Sequence, residues 1–337
     1  MSQVFRRNLI AAAILALALE MVSATAFAQY KNKALVKNTG TKGDKQLINP
    51  WGLAYAPSRP FWLSDEGSGV STLYNGKGKK QSLVVTIPSA SGTGLGTPTG
   101  IVYNGSSEFK INNATSTFLF DTLDGTISGW SAGTTAVIAL NNSSSAAVYT
   151  GLAITSHASG NMLYAADFAN NKVDVYDGNF NFVTSFTDTG LPAGFAPFGI
   201  QDINGQLYVA FAAQNGGSSG YVDIFDENGT FVQTLISGSP LNQPWGFALA
   251  PSNFGPLSNT LLVTNNVNAG TINGFNPTTG AFVGTVTTSA GKAIKISQIW
   301  GIEFGGGTSE NGNTNALYYT AGPNNGTEGI FGVINYQ

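Results

Sequence analysis

The sequence predicts an all-β fold: a six-bladed β-propeller with four strands per blade, in which the N-terminal strand completes the sixth blade. Three observations support this prediction. A short motif with a central glycine recurs six times along the 337 residues, short strand-like runs fill each interval, and the last interval lacks one strand. A repeat of about 50 residues that contains several short strands is typical of propeller blades.

The recurring motif reads Pro-Trp-Gly-Leu-Ala at residues 50–54. Its glycines mark where we expect the inner strands to start, and they are separated by 48, 51, 48, 47 and 55 residues. Glycine is expected there because six inner strands converge on one axis, where side chains have little room. The six positions are Gly52, Gly100, Gly151, Gly199, Gly246 and Gly301.

The fourth repeat shows the four strands of a blade most clearly, because Asn-Gly pairs typical of tight turns separate two of its strand pairs. The sixth repeat supplies only three strands before the chain ends. Segment 29–40 resembles the outer strand of another repeat, so we expect it to be the outer strand of blade six. This arrangement would cover a strand edge that is otherwise an aggregation hazard.

Residues 1–28 have the layout of a secretory signal peptide. Arg6 and Arg7 precede an apolar run at 9–19, and Ala26 and Ala28 provide small residues before a cleavage site. We therefore expect residues 29–337 to form a single propeller domain that is secreted or periplasmic. No second apolar stretch reaches about 18 residues, so no membrane span is expected after cleavage.

The composition argues against several kinds of catalytic site. The chain has no cysteine and one histidine, His157, which excludes disulfide frameworks and metal centres built from several imidazoles. No Gly-x-Ser-x-Gly motif accompanies that histidine, and we expect the histidine on a surface loop.

Without residues 1–28 the chain keeps 13 basic and 17 acidic residues, nine of the basic ones between positions 31 and 80. The acidic balance and the expected export argue against a nucleic-acid partner.

The third repeat contains a more specific motif. Leu-Tyr-Ala-Ala-Asp ends at Asp167, and Asn-Asn-Lys-Val-Asp-Val-Tyr-Asp follows at 170–177. This pattern resembles an NHL repeat, and the mature chain resembles an uncharacterised family of secreted bacterial six-bladed propellers with NHL-like repeats. The resemblance implies the fold and export, and it implies no activity.

Two aligned positions suggest a ligand site on one face of the ring. The residue before the central glycine is aromatic in four repeats, and the end of the second strand is acidic in three. Aromatic rings offer stacking surface and the polar groups offer hydrogen bonds. An alternative is that the aromatic rings plug the ring and that each Asp binds the backbone of its own turn. The candidate ligand-binding residues are Trp51, Thr99, Thr150, Phe198, Trp245, Trp300, Asp121 and Asp167.

Small residues dominate two positions after the glycine, and Gln201 and Glu303 are the exceptions. In six-bladed calcium-dependent lactonases a Glu and several Asn or Asp side chains hold the metal in the channel. Glu303 is the candidate metal ligand here, although calcium takes six to eight oxygens and these positions supply too few. We expect a secreted, non-catalytic binding propeller without a cofactor, whose aromatic face recognises a small molecule, glycan, peptide or protein. The alternative is a calcium-dependent hydrolase or lyase of the lactonase type.

Overall fold

The computed structural model describes residues 30–156 and 160–337, and within them six antiparallel four-stranded sheets form a closed ring. Each innermost strand contacts the innermost strand of the next sheet, and the sixth contacts the first. The prediction of a six-bladed β-propeller with four strands per blade is therefore confirmed. The expected signal peptide, residue 29 and His157 lie outside the described residues.

The strands are numbered in chain order, and those of each blade are given from the axis outwards. Blade one comprises β2 (Pro50–Tyr55), β3 (Phe61–Asp65), β4 (Val70–Tyr74) and β5 (Lys80–Thr86). Blade two comprises β6 (Pro98–Tyr103), β9 (Phe118–Thr122), β10 (Thr126–Trp130) and β11 (Val137–Asn141), with a small hairpin of β7 (Lys110–Ile111) and β8 (Ala114–Thr115). Blade three comprises β12 (Tyr149–Thr155), β13 (Met162–Asp167), β14 (Lys172–Asp177) and β15 (Phe182–Phe186).

The remaining three blades follow the same plan. Blade four comprises β16 (Phe195–Ile203), β17 (Gln206–Ala213), β18 (Gly220–Phe225) and β19 (Phe231–Ser237). Blade five comprises β20 (Pro244–Leu249), β21 (Leu261–Asn265), β22 (Ile272–Phe275) and β23 (Phe282–Thr285). Blade six comprises β24 (Ile299–Phe304), β25 (Ala316–Ala321), β26 (Ile330–Tyr336) and β1 (Tyr30–Lys37). In the described part of the chain, three single-turn 3₁₀ helices connect strands at Glu66–Ser68, Ser143–Ser145 and Gly255–Leu257.

The glycines of the repeated motif lie where neighbouring inner strands touch. A Cβ atom on Gly246 would come within 2.5 Å of the carbonyl oxygen of Trp300 in the next blade. A Cβ on Gly301 would lie 2.9 Å from the carbonyl oxygen of Trp51, across the point where the ring closes. Such distances leave no room for a side chain. Glycine therefore recurs about every 50 residues in the sequence because neighbouring backbones touch at these positions around the axis.

Buried hydroxyl groups link the same contact points. Thr264 accepts a hydrogen bond from the Gly246 amide at 2.8 Å and donates one to the Trp300 carbonyl at 2.9 Å. In blade six, Thr320 accepts from the Gly301 amide at 3.0 Å and donates to the Trp51 carbonyl. Each threonine thus satisfies an inner-strand amide and binds its blade to the next one.

The N-terminal strand completes blade six, as the sequence predicts. Strand β1 pairs antiparallel with β26, and Tyr30 lies opposite Tyr336. The buried Tyr30 hydroxyl donates a hydrogen bond to the Phe254 carbonyl at 2.7 Å and accepts one from the Leu257 amide at 3.1 Å. Strand β1 therefore joins blade six to blade five as well as completing its sheet.

The core is divided among the seams of the ring. Among the described residues, six apolar clusters each lie between two adjacent blades, and a seventh lies at the axis. Every blade thus depends on both neighbours for the burial of its side chains.

No helix in the described part of the chain is long and apolar enough to cross a membrane.

Candidate functional site

The aromatic residues before the inner-strand glycines meet at the axis. Trp51 stacks on Trp300 with ring centroids 3.5 Å apart, and Trp245 packs edge-on against both at 6.2 and 5.8 Å. Phe198 packs against Trp51 at 6.0 Å. The three tryptophans are only 5–8 % exposed. We call these four side chains the aromatic plug, and the face where they lie the plugged face.

Hydrogen bonds hold two of the plug indoles in place. Trp245 Nε1 donates to the Thr150 carbonyl at 2.8 Å, which links blade five directly to blade three. Trp300 Nε1 donates to Asn49 Oδ1 at 3.1 Å. The structure thus brings the four predicted aromatic residues together, but their rings cover one another. This geometry favours the plug over a stacking surface.

Asp121 and Thr99 also bond to their surroundings on the protein. Asp121 Oδ1 accepts hydrogen bonds from the Thr99 hydroxyl, at 2.8 Å, and from the Gly100 amide. The Thr99 hydroxyl also lies 2.9 Å from the Tyr149 carbonyl of the next blade. Burial raises the pKa of Asp121 to about 6, against the opposing effect of these hydrogen bonds. The Asp121 carboxylate therefore accepts the inner-strand glycine amide, as a threonine hydroxyl does in blades five and six.

The register of blade two differs from the sequence alignment by one residue. Pro98 pairs with Thr122, whereas in blades one and three the equivalent inner-strand residues pair with Asp65 and Asp167. Thr122, rather than Asp121, therefore ends the second strand in the same place as the two other acids. The alignment followed the acidic residue type, while the strand register follows the β-bulge at the inner-strand glycine.

Asp167 and Thr150 bond within blade three. Asp167 Oδ1 accepts from the Val148 amide at 3.0 Å, and Oδ2 accepts from Asn170 Nδ2 at 2.7 Å. Thr150 Oγ1 lies 3.3 Å from the Ala166 carbonyl. These contacts are those of an Asp that stabilises its own turn, which is the alternative that the sequence left open.

An axial channel opens on the other side of the plug. Its volume is about 280 Å³, its walls come from the inner strands of all six blades, and Trp245 of the plug lines it. Tyr55, Tyr103 and Asp202, each three residues after an inner-strand glycine, line its mouth and are half-buried. We call this side of the ring the open face. The aligned repeat positions did not predict these three residues, although they occupy the next position along the repeat.

Glu303 is an acid inside the channel. It lines the channel together with Gln201, and among the described residues its carboxylate has no hydrogen-bond or ion-pair partner. Protein surrounds the side chain, and its partial exposure is to the narrow channel rather than to open solvent. This burial raises the pKa of Glu303 to about 8. At neutral pH the group is therefore mostly a neutral carboxylic acid that can both donate and accept a hydrogen bond.

The residues around Glu303 do not fit a calcium ion. Within residues 30–156 and 160–337, no three His, Cys, Asp or Glu side chains lie close enough together to hold a metal. Calcium takes six to eight oxygen ligands, usually including several carboxylates. A mostly protonated carboxyl group is also a poor ligand for a cation.

Comparisons of sequence identify relatives without a known function. No family model matches the chain. Uncharacterized protein R648 of Acanthamoeba polyphaga mimivirus is 29% identical over 321 residues, which cover 88% of this chain and 77% of that protein. Protein L690 of the same virus is 28% identical, with 92% and 86% covered, and protein R640 is 33% identical, with 61% and 42% covered. These viral relatives do not support the bacterial NHL-repeat family that the motif resembles.

Comparisons of structure support the fold. A streptogramin B lyase matches with a TM-score of 0.55 at 13% identity and covers 93% of this chain and 99% of its own. A luciferin-regenerating enzyme matches with a TM-score of 0.57 at 12% identity, covering 86% and 92%. The WD40 propeller domain of Doa1 matches with a TM-score of 0.51 at 10% identity, covering 89% and 96%. The chain is therefore a β-propeller whose structural neighbours include both enzymes and a WD40 domain.

Proposed function

We propose that the protein is a binding propeller that takes the end of a neutral, polar ligand into its axial channel from the open face. The observation that carries this proposal is Glu303, a carboxyl group without a protein partner inside a channel that all six blades line. A buried polar group without a partner is costly, so a ligand that supplies one gains binding free energy.

The size and chemistry of the channel limit what can enter it. A volume of about 280 Å³ is at the lower end of the range for small-molecule sites, so it accommodates one sugar ring or one amino-acid residue. Its walls are largely backbone and apolar side chains. Gln201 and Glu303 are the hydrogen-bonding side chains inside it, and two tyrosines and Asp202 add polar groups at its mouth. A neutral ligand with hydroxyl or amide groups fits this arrangement better than an anion does.

The proposal moves the ligand from the plugged face, where the sequence placed it, to the open face. The plug residues cover one another and their acidic neighbours bond to their own turns. The calcium-dependent alternative lacks the oxygen ligands that a calcium site needs.

We further propose that the protein acts outside the cytoplasm, on the basis of residues 1–28. Sequencing the N-terminus of the exported chain tests this inference.

Glu303→Gln tests the channel site, because glutamine keeps a neutral donor and acceptor but cannot ionise. Neutral monosaccharides, polyols and N-acetyl amino-acid amides serve as probes in calorimetric titrations from pH 6 to pH 9. We expect wild-type affinity to fall as the pH rises through about 8, where Glu303 loses its proton. Glu303→Gln should keep its affinity across this range, and Glu303→Ala should bind more weakly throughout.

Glu328→Gln is the matched control, because Glu328 belongs to the turn before β26 on the plugged face. It should retain the pH dependence of the wild type. Binding that neither Glu303→Gln nor Glu303→Ala changes would place the ligand elsewhere. Failure of every probe to bind, with a channel acid that nonetheless titrates near pH 8, would also overturn the proposal.

A further inference from the structure

The open face carries a second recess, at the seam between blades one and two. Its volume is about 770 Å³, which exceeds that of the channel. Aromatic rings form its floor: Trp62 stacks on Phe118 at 4.3 Å and contacts Trp130 at 4.6 Å. Trp62 is 4 % exposed, whereas Trp130 is only half-buried. All five tryptophans of the chain thus lie either in the plug or in this recess.

The Trp130 ring is held in one orientation while part of it stays accessible. Its Nε1 atom donates a hydrogen bond to the Gly133 carbonyl at 3.0 Å, which satisfies the polar edge of the indole. The contact with Trp62 supports one side of the ring. A fixed, partly exposed indole offers a stacking surface at little entropic cost.

Charged groups of opposite sign line the same recess. Arg59 is exposed and lies between Pro57 and Pro60, which limit the conformations of its loop. Glu310 comes from the loop that follows β24, and the Glu310 carbonyl accepts a hydrogen bond from the Gly76 amide of blade one at 2.9 Å. Among the described residues, neither the Arg59 guanidinium nor the Glu310 carboxylate has a hydrogen-bond or ion-pair partner.

The Glu310 loop is well anchored. Asn311 is fully buried, and its Oδ1 atom accepts hydrogen bonds from the Thr308 amide at 3.1 Å and from the Thr308 hydroxyl at 2.7 Å. The backbone of Glu310 is therefore held next to blade one. Three blades contribute to the recess: blade six through this loop, and blades one and two through their strands.

We propose that this recess is a carbohydrate-binding groove for a neutral oligosaccharide. One face of a pyranose ring is lined by C–H groups and packs on an indole, while its hydroxyl groups act as both donors and acceptors. Arg59 can donate two hydrogen bonds to neighbouring hydroxyls, and Glu310 can accept two. A groove of this volume accommodates two to three sugar units.

A proline-rich peptide is the other ligand that aromatic grooves commonly take. It presents backbone carbonyl acceptors but few donors, so it would leave the Glu310 carboxylate without a partner. A sugar satisfies both charged groups, and for this reason the observations favour a carbohydrate. The groove and the channel share Tyr103, yet the groove proposal does not depend on Glu303.

The test uses the full mature chain with cello-, manno-, xylo- and chito-hexaose as probes and decaproline as the competing peptide. Binding is followed by calorimetry and by tryptophan fluorescence, which should change because Trp130 is partly exposed. We expect saturable binding of at least one oligosaccharide. An aromatic contact contributes about 0.5–1.5 kcal/mol, so Trp130→Ala should weaken binding roughly two- to twelvefold.

Arg59→Ala and Glu310→Gln should weaken the same binding, and both change partly or fully exposed side chains that the ring does not need for folding. Phe182→Ala removes an aromatic side chain that is 60% exposed on the outer strand of blade three, and it should have no effect. Glu303→Gln should also leave groove binding unchanged, which separates this site from the channel. The proposal is overturned if no oligosaccharide binds at millimolar concentration, if binding survives both Trp130→Ala and Arg59→Ala, or if decaproline binds in their place.

Discussion

Tyr30→Phe tests whether the N-terminal strand stabilises the whole ring. The substitution removes one hydroxyl group and leaves the phenyl ring packed against Phe254, whose centroid lies 4.9 Å away. Two buried backbone groups lose a partner, the Phe254 carbonyl and the Leu257 amide. Leaving a buried group unsatisfied costs about 1–3 kcal/mol, so the loss of both partners should lower the free energy of unfolding by roughly 2–6 kcal/mol.

Urea denaturation followed by circular dichroism and by tryptophan fluorescence measures this loss. Tryptophan fluorescence comes from the aromatic plug at the axis and from the recess between blades one and two, whereas Tyr30 lies in the outer strand of blade six. If strand β1 secures the whole ring, both signals should shift to lower urea together, with an unchanged slope. Tyr336→Phe is the matched control, because Tyr336 is 36 % exposed and should lose little stability. An unchanged midpoint for Tyr30→Phe, or a separate small transition that leaves tryptophan fluorescence unaffected, would refute the reasoning.

Two further substitutions test the contacts around the axis. Gly246→Ala places a Cβ 2.5 Å from the Trp300 carbonyl and should lower the thermal midpoint strongly or prevent folding, whereas Gly284→Ala meets its nearest atom at 3.5 Å and should be tolerated. Asp121→Asn keeps the Oδ1 acceptor but cannot ionise. Because burial raises the folded-state pKa of Asp121 to about 6 from an ordinary value of 3.8, the wild type should lose stability as the pH rises from about 4 to 6. Urea midpoints at both ends of this range should show that loss in the wild type and a smaller one in Asp121→Asn; equal losses would contradict the assignment.

The ring could be predicted from the sequence because the contacts between blades require the same residue types at regular intervals. Each inner-strand glycine is required by a neighbouring backbone, so Gly246 and Gly301 recur at blade spacing for a steric reason. The missing strand of blade six predicted its completion by segment 29–40, and the pairing of Tyr30 with Tyr336 confirms this. Both inferences rest on backbone geometry, which repeats.

The candidate site was harder to predict because side-chain direction does not follow from spacing. Repeat position shows that Trp51, Trp245 and Trp300 share one face, but only the structure shows that they turn inwards onto one another. The recess around Trp130 belongs to a single seam and therefore leaves no periodic signal. Glu310 reaches it from another blade, through a loop that the repeat does not contain.

Blade six is built from two distant parts of the chain, and this has a consequence for how the ring can be rebuilt. Since Tyr30 and Tyr336 are neighbours, a short linker can join them. New ends can be opened at the exposed loop near Gly92, where a methyl group in place of the glycine hydrogen would meet no other part of the chain within 4 Å. Such a circular permutant would keep every strand pair while making all six sheets continuous in sequence. The difference in unfolding free energy between the natural and the permuted chain would measure how much the division of blade six between the two chain ends contributes to the stability of the ring.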